Sequence, residues 1–519
     1  MLNNPYVHDF MVPANFLAIW DPTSVVTILV ENYAPVHVLL HAVEWQLFGE
    51  NVTGYHVVNV LLHALASVML FALFVRSSIP PAAALVGAAV FLLHPGNVES
   101  VAWISQLKSS SSLCLTLAAV LAHPRRPLLA TVCFALALLA KPFAAVAFFA
   151  VLLFGWVRSS GEETGQDVDW RWPWMGGWVL VLAGFAVVEA LAFSSTAGQA
   201  PTLYAEPLTR VCMMIAAAGR YLFMAATGTG LSVFHEPAPI TTLLHPQVLA
   251  SLVALALVTG RLVVTLRRRS EEAVYWIWAL VSFGPLSGIV PLPYPIADRY
   301  LYFILPGLIG AVLLALPDLA RFAADRLGLR VDAAALARGG LALGAVLVLV
   351  FAVQAHARAG IWRSAESMMA DSERNYPDGA AANTRKAGRA ARQGDFDGAV
   401  RYLEAAHARG YNRLDHILID PAYGPLHGYP PFDALKREMA QEWVDRLQAK
   451  AASSQVEARA LAQAYIVLDD LESALRVIET AAGIPGPITA DLHSDAEKLR
   501  AELARRERLR AVRSKSDAG

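Results

Sequence analysis

Long apolar runs separated by short polar connectors fill most of the chain up to residue 357. Runs at 55–76, 82–95, 109–122, 127–156, 172–193, 246–266, 274–291, 300–316 and 338–357 suit helices in lipid. As one helix, the 127–156 run would reach about 45 Å, against a hydrocarbon core of ~30 Å, and Lys141-Pro142 lies at its middle. Proline removes a helical hydrogen bond, and a lysine is costly at a bilayer centre. This run is therefore predicted to be two short helices meeting at Lys141 near one membrane face. Residues 208–230, with Arg210, Arg220 and Tyr221, are amphipathic and read as a helix along the interface. Residues 1–30 read as loop, interrupted by Pro5, Pro13 and Pro22, with no signal peptide.

After residue 358 the pattern changes. Small and apolar residues recur at helical spacing in "GAAANTRKAGRAARQGDFDGAVRYLEAAHARGYN" (379–412), with "GDFDGAV" as the turn. The stretch "LAQAYIVLDDLESALRVIETAAG" (461–483) repeats the form: an alanine-rich helix, an acidic turn and a second helix. This recurrence resembles tetratricopeptide repeats. The predicted division is a first non-cytoplasmic loop (1–54), a transmembrane domain (55–358), a repeat-like helical domain (359–510) and a disordered tail (511–519). The fold class is all-α.

Composition agrees with lipid as the solvent. The chain is 56% hydrophobic and 16% charged, against about a quarter charged in soluble domains. A net charge of −1 gives no argument for nucleic acid as a partner. The cluster "LRRRS" (266–270) follows an apolar span and reads as a positive-inside anchor. Cys114, Cys133 and Cys212 lie in apolar stretches without metal or disulfide spacing, and read as buried. Placing the basic connectors 123–127, 267–272 and 321–330 in the cytoplasm sets the topology. It puts residues 1–50, the 94–108 loop, Lys141, the 292–299 loop and everything after 358 on the opposite face.

The connector "HPGNVESVAWISQLKSSSS" (94–112) carries more chemistry than a turn needs. Each residue also has a plain structural reading. His94 before Pro95 fits a helix cap, and Glu99 fits an ion pair with Lys108. Trp103 fits an aromatic belt. Lys141 fits snorkelling to headgroups, and Asp298-Arg299 fits a local ion pair at a helix start. His37, His41, His56 and His63 read as packing or interfacial hydrogen-bonding groups rather than metal ligands.

The elements "NNPYV", "YHVVNVLLHAL" (55–65), "FLLHPGNVESVAWISQLKS" (91–109), "ALLAKP" (137–142) and "IADRYLYFILPGLIG" (296–310) occur in order, and "IWRSAESMMADSERNYPDG" (361–379) leads into the repeats. In this the chain resembles bacterial membrane proteins related to the transmembrane and tetratricopeptide-repeat protein O-mannosyltransferases, of the GT-C fold. The resemblance implies inverting transfer of a sugar from a polyprenyl-phosphate donor to an acceptor hydroxyl, on the non-cytoplasmic face of a bacterial inner membrane. Such a transfer needs a carboxylate for the hydroxyl proton, and cations for the leaving phosphate. On this reading Glu99 is a catalytic candidate, while His94, Trp103, Lys108, Lys141, Asp298 and Arg299 bind donor phosphate or sugar. The implied partners are the bilayer, the lipid-linked donor, and a protein acceptor or partner at the repeats. The resemblance fixes no cofactor and leaves room for a divalent metal.

The chain departs from the family pattern in three places. The family's acidic pair precedes "NNP" behind a first span, whereas Met1 stands directly before "LNNP". The expectation is an N-terminal truncation, with Asp9 the nearest substitute base. Lys141-Pro142 stands where Lys-Glu is common, and "YAPV" (33–36) where "YRPL" is usual. The alternative from another class is a non-catalytic membrane scaffold whose repeats bind envelope proteins.

Overall fold

The computed structural model describes residues 5–30, 32–159, 172–196, 206–288, 294–326, 332–449, 455–483 and 488–516. Among them the regular structure is entirely helical. The chain forms two compact units. One comprises Met1–Pro22, Asn32–Leu191 and Ala200–Asn375; the other comprises Thr23–Glu31, Ala192–Gln199 and Tyr376–Gly519. The helix Ala365–Asn375 thus belongs with the apolar unit, past the division expected at 358.

Seven helices of the first unit are long and apolar enough to cross a membrane: Val52–Arg76, Ile104–Ala122, Pro173–Ala192, Pro207–Thr227, Pro246–Arg267, Asp298–Ala324 and Ala334–Ile361. The pair Pro81–Leu93 and Pro95–Ala102, bent by 47°, makes an eighth if counted as one span. Only 6% of the best apolar window in Ala334–Ile361 is buried. Leu343, Val346, Leu349 and Val353 on it are exposed, a surface that suits lipid and not water. These features fit a multi-pass membrane protein.

The 127–156 run breaks at Lys141, as its length predicts. Helices Pro127–Ala140 and Val146–Arg158 flank a short 3-10 turn at Pro142–Ala145, and Lys141 is extended (φ −160°, ψ 131°). A residue before proline is pushed out of the α region by the ring, which sets the break there. The 274–291 run is shorter than expected: its helix spans Glu272–Phe283, followed by a 3-10 turn at Gly284–Leu286. Positions 289–291 lie outside the described residues. The segment read as interfacial forms Pro207–Thr227, which qualifies as a span by length and composition.

Residues 1–30 were expected to be loop, but their described part, 5–30, carries helices Pro5–His8, Pro13–Trp20 and Val25–Val30. Pro13 stands in the first turn of its helix. There its missing N–H costs nothing, so it starts a helix instead of stopping one. Glu272–Phe283 and Leu301–Arg326 pack closely in the core, where Trp278 Nε1 donates to the Phe303 carbonyl at 2.9 Å. Gly307 permits this approach, because a Cβ there would lie 2.5 Å from the Ala279 nitrogen.

The second unit has its own core. Helices Ala380–Gln393 and Phe396–His407 form one hairpin, and Gln455–Val467 and Leu471–Ala482 form another. Each second helix is capped by the acidic residue of its turn. Asp395 Oδ1 accepts from the Gly398 N–H at 2.8 Å, and Asp470 Oδ1 accepts from the Ser473 N–H at 3.0 Å. Ala387, Ala399, Ala462 and Ala474 are buried and let paired helices approach. Between the hairpins, Asp420 caps the 3-10 turn at Pro421–Leu426, and Phe432 is fully buried. The last helix, Thr489–Ser516, continues through part of the expected tail.

Candidate functional site

The 94–106 connector is folded tightly: a 3-10 turn at Pro95–Asn97, a helix at Val98–Ala102 and a second 3-10 turn at Ile104–Gln106. His94 organises its start. Its Nδ1 accepts from the Gly96 N–H at 3.0 Å, so Nε2 carries the proton and donates to the Ala225 carbonyl at 3.1 Å. Both ring nitrogens are committed to backbone, which is the capping role.

Glu99 does not pair with Lys108. Its Oε1 accepts from Arg299 Nη1 at 2.6 Å, and its Oε2 accepts from the Arg299 backbone N–H at 2.8 Å. The Arg299 guanidinium lies over the rings of Trp103, Tyr294 and Tyr300, at 5.5, 5.0 and 5.0 Å. Trp103 is 39% exposed and stacks on Trp362. An ion pair walled by aromatic faces with one open edge suits the apolar face and hydroxyl rim of a sugar.

Asp298 and Arg299 are not a local pair either; they face different partners. Asp298 Oδ1 accepts from His235 Nε2 at 2.7 Å and from the Ser232 N–H at 3.3 Å. Its Oδ2 accepts from Arg358 Nη2 at 2.9 Å, and Arg358 Nη1 donates to Asp371 Oδ2 at 2.8 Å. Asp371 Oδ2 also takes the Val233 N–H at 3.2 Å. Four segments are thereby joined beside Arg299. Burial holds the His235 imidazole below its ordinary pKa, with Asp298 opposing and Arg220 and Arg358 reinforcing.

Lys141 is buried, its Nζ donating to Ser109 Oγ at 2.7 Å beneath the rings of Phe143 and Phe303. It does not snorkel. Ser109 in turn donates to Gln106 Oε1 at 2.7 Å. Phe143 stacks on Tyr300, over which Arg299 lies, and the charges of Lys108, Arg299 and Glu99 all reach Lys141, so the four residues gather in one part of the bundle. Lys108 itself is half-buried in the first turn of Leu107–Ala122. Asp9 is exposed and stands apart from these contacts.

Comparison with protein-family models, curated proteins and solved structures gives no match. The chemistry must be read from the side chains.

His235, Arg358, Asp371 and Glu44 escaped the sequence reading, and His41 was read only as a packing or interfacial hydrogen-bonding group. Arg358 had a signal: it is a charge at the end of an apolar run, which calls for a partner. His63 is structural, its Nδ1 meeting Tyr302 Oη and its Nε2 the Leu92 carbonyl, both at 3.0 Å. Among the described residues, one group of metal-type ligands lies within mutual reach: His407, Glu438 and Glu442, in the second unit.

Proposed function

We propose that this protein is a GT-C type membrane glycosyltransferase. It moves a sugar from a polyprenyl-phosphate donor to an acceptor hydroxyl on the non-cytoplasmic face. The observation that carries this reading is the convergence of Lys108, Lys141, Arg299 and Glu99 within an apolar helical bundle. A lysine buried in such a place, its Nζ held by the neutral Ser109 hydroxyl with a second lysine acting on it, is an expensive arrangement that an anion would relieve. A lipid phosphate has the right charge, and its polyprenyl chain has the right solvent. Lys108 and Lys141 would hold the phosphate oxygens as they gain charge in the transition state. Arg299, neutralised by Glu99, would present its aromatic surround to the sugar.

The helical hairpins of the second unit are read as tetratricopeptide-like repeats that hold a protein acceptor. The expected location is a bacterial inner membrane.

The test uses the full chain in proteoliposomes. Undecaprenyl phosphate should bind, and radiolabelled mannosyl and glucosyl derivatives, offered in turn, should lose label to water-soluble or protein products. Lys141→Ala should weaken undecaprenyl phosphate binding. Failure to bind it would favour a membrane scaffold whose repeats engage envelope proteins.

A further inference from the structure

We infer that His41 is the general base that takes the proton from the acceptor hydroxyl, and that Glu44 positions it; this rests on the transfer reaction proposed above. Both lie on the helix Pro35–Phe48, away from the connectors that carry the charged cluster. His41 Nδ1 meets Glu44 Oε2 at 2.6 Å, and both side chains are buried.

A carboxylate at Nδ1 fixes the tautomer. The proton sits on Nδ1, and the lone pair is left on Nε2. His41 Nε2 is buried and has no hydrogen-bond partner among the described residues. An imidazole oriented by a carboxylate on one nitrogen and bare on the other has the geometry of a proton acceptor. His94 and His63 commit both nitrogens to hydrogen bonds; His37 also has a bare ring nitrogen, but the carboxylate on the opposite nitrogen is shown at His41.

The surroundings tie this dyad to the cluster. His37 lies one turn earlier, its ring 4.4 Å from that of His41. Lys108 acts on both histidines, and Lys141 acts on His37. Burial and these cations hold both imidazoles below their ordinary pKa, although Glu44 opposes this at His41. The ring is thus neutral near pH 7, as a base must be. The two lysines also repel a divalent cation, which argues against a two-histidine metal site.

The carboxylate candidates fit the task less well. Both oxygens of Glu99 are committed to Arg299, and Asp9 is exposed.

The step balances without further reagents. As the acceptor oxygen bonds to the anomeric carbon, its proton passes to His41 Nε2. The bond from the anomeric carbon to the phosphate oxygen breaks, and its electron pair leaves with the polyprenyl phosphate, between Lys108 and Lys141. Glu44 stabilises the imidazolium until it releases the proton to water.

The same proteoliposomes test this. His41→Gln should reduce transfer by about 10² to 10⁴ and leave undecaprenyl phosphate binding unchanged. Glu44→Gln should lower kcat at constant KM, with partial recovery in Glu44→Asp, which simple loss of packing would not give. Independently, NMR of isotope-labelled histidine in the full chain should show the Nδ1–H tautomer at His41, and this holds even if His41→Gln folds poorly. Wild-type transfer that persists in His41→Gln, or an Nε2–H tautomer, would overturn the assignment and leave the glycosyltransferase reading intact. A wild-type chain that transfers neither sugar would overturn both.

Discussion

Arg299 holds Glu99 by two different atoms, reaching Oε2 through its backbone N–H at 2.8 Å and Oε1 through its guanidinium at 2.6 Å. One carboxylate therefore fixes both the course of the 298–300 turn and the direction of the arginine. Removing one partner of a buried pair leaves the other charge stranded. Glu99→Ala should cost about 3–5 kcal/mol, and Glu99→Gln, which keeps an acceptor for the N–H, should cost less. Thermal unfolding in detergent, followed by tryptophan fluorescence, reads both. An unchanged midpoint in Glu99→Ala would mean that the pair does not hold the loop.

His235 makes stability depend on pH. Its folded pKa is lowered from 6.5, chiefly by burial, so the unfolded chain binds the proton more readily. Its contribution is complete above about pH 6.5, declines as pH falls below that value, and is lost below the lowered folded pKa. Unfolding midpoints should fall between pH 7.5 and pH 5, and His235→Gln should flatten this slope. His37 and His41 shift in the same direction, so some slope should survive. A variant profile that parallels the wild type would remove His235 from the account.

Gly307 sits where two helix backbones touch. A Cβ there would lie 2.5 Å from the Ala279 nitrogen and 2.7 Å from the Tyr275 carbonyl oxygen. Backbone cannot rotate aside as a side chain can, so Gly307→Ala should lose about 1–3 kcal/mol, the range for overpacked cores. Gly339→Ala, where no described residue lies within 4 Å, is the matched control and should be neutral or slightly stabilising. Equal midpoints in the two variants would refute the close approach.

The basic connectors, with Arg125-Arg126 and Arg267–Arg269, predict sidedness. A reporter active only outside the cytoplasm, fused after Gly379, should be active, and a cytoplasmic reporter at that point silent. The reverse pattern would move the charged cluster to the cytoplasmic side and remove the support for a lumenal or periplasmic donor.

Sequence showed what is local. Apolar length marked most helices, and excess length with Lys141-Pro142 marked the break, because both follow from bilayer thickness and backbone sterics. The early prolines misled because proline stops a helix from inside and starts one at its first turn; only the neighbouring residues tell these apart. The residues of the 94–108 loop were visible as an anomaly, but their partners were not. Glu99 and Arg299 lie 200 positions apart, and His235 and Asp298 lie 63 apart, distances over which no periodicity speaks. Lys108 was the nearer cation to Glu99 in the chain, and nearness in the chain was the wrong guide. Glu44 and His41 are only three apart. Their pairing went unread because a helical i, i+3 pair looks alike whether it faces water or the core.

Arg358 divides one positive charge between Asp298 and Asp371. This has a bearing on how such a gene can drift. A neutral residue at 358 strands two carboxylates together, and a neutral residue at 298 or 371 unbalances the remaining pair. Single steps away from this triad pass through a poorer protein, whichever position changes first. Lineages descending from this sequence should therefore keep all three residues or exchange them as a set, while the lipid-facing leucines and valines of the same helix wander freely among apolar neighbours.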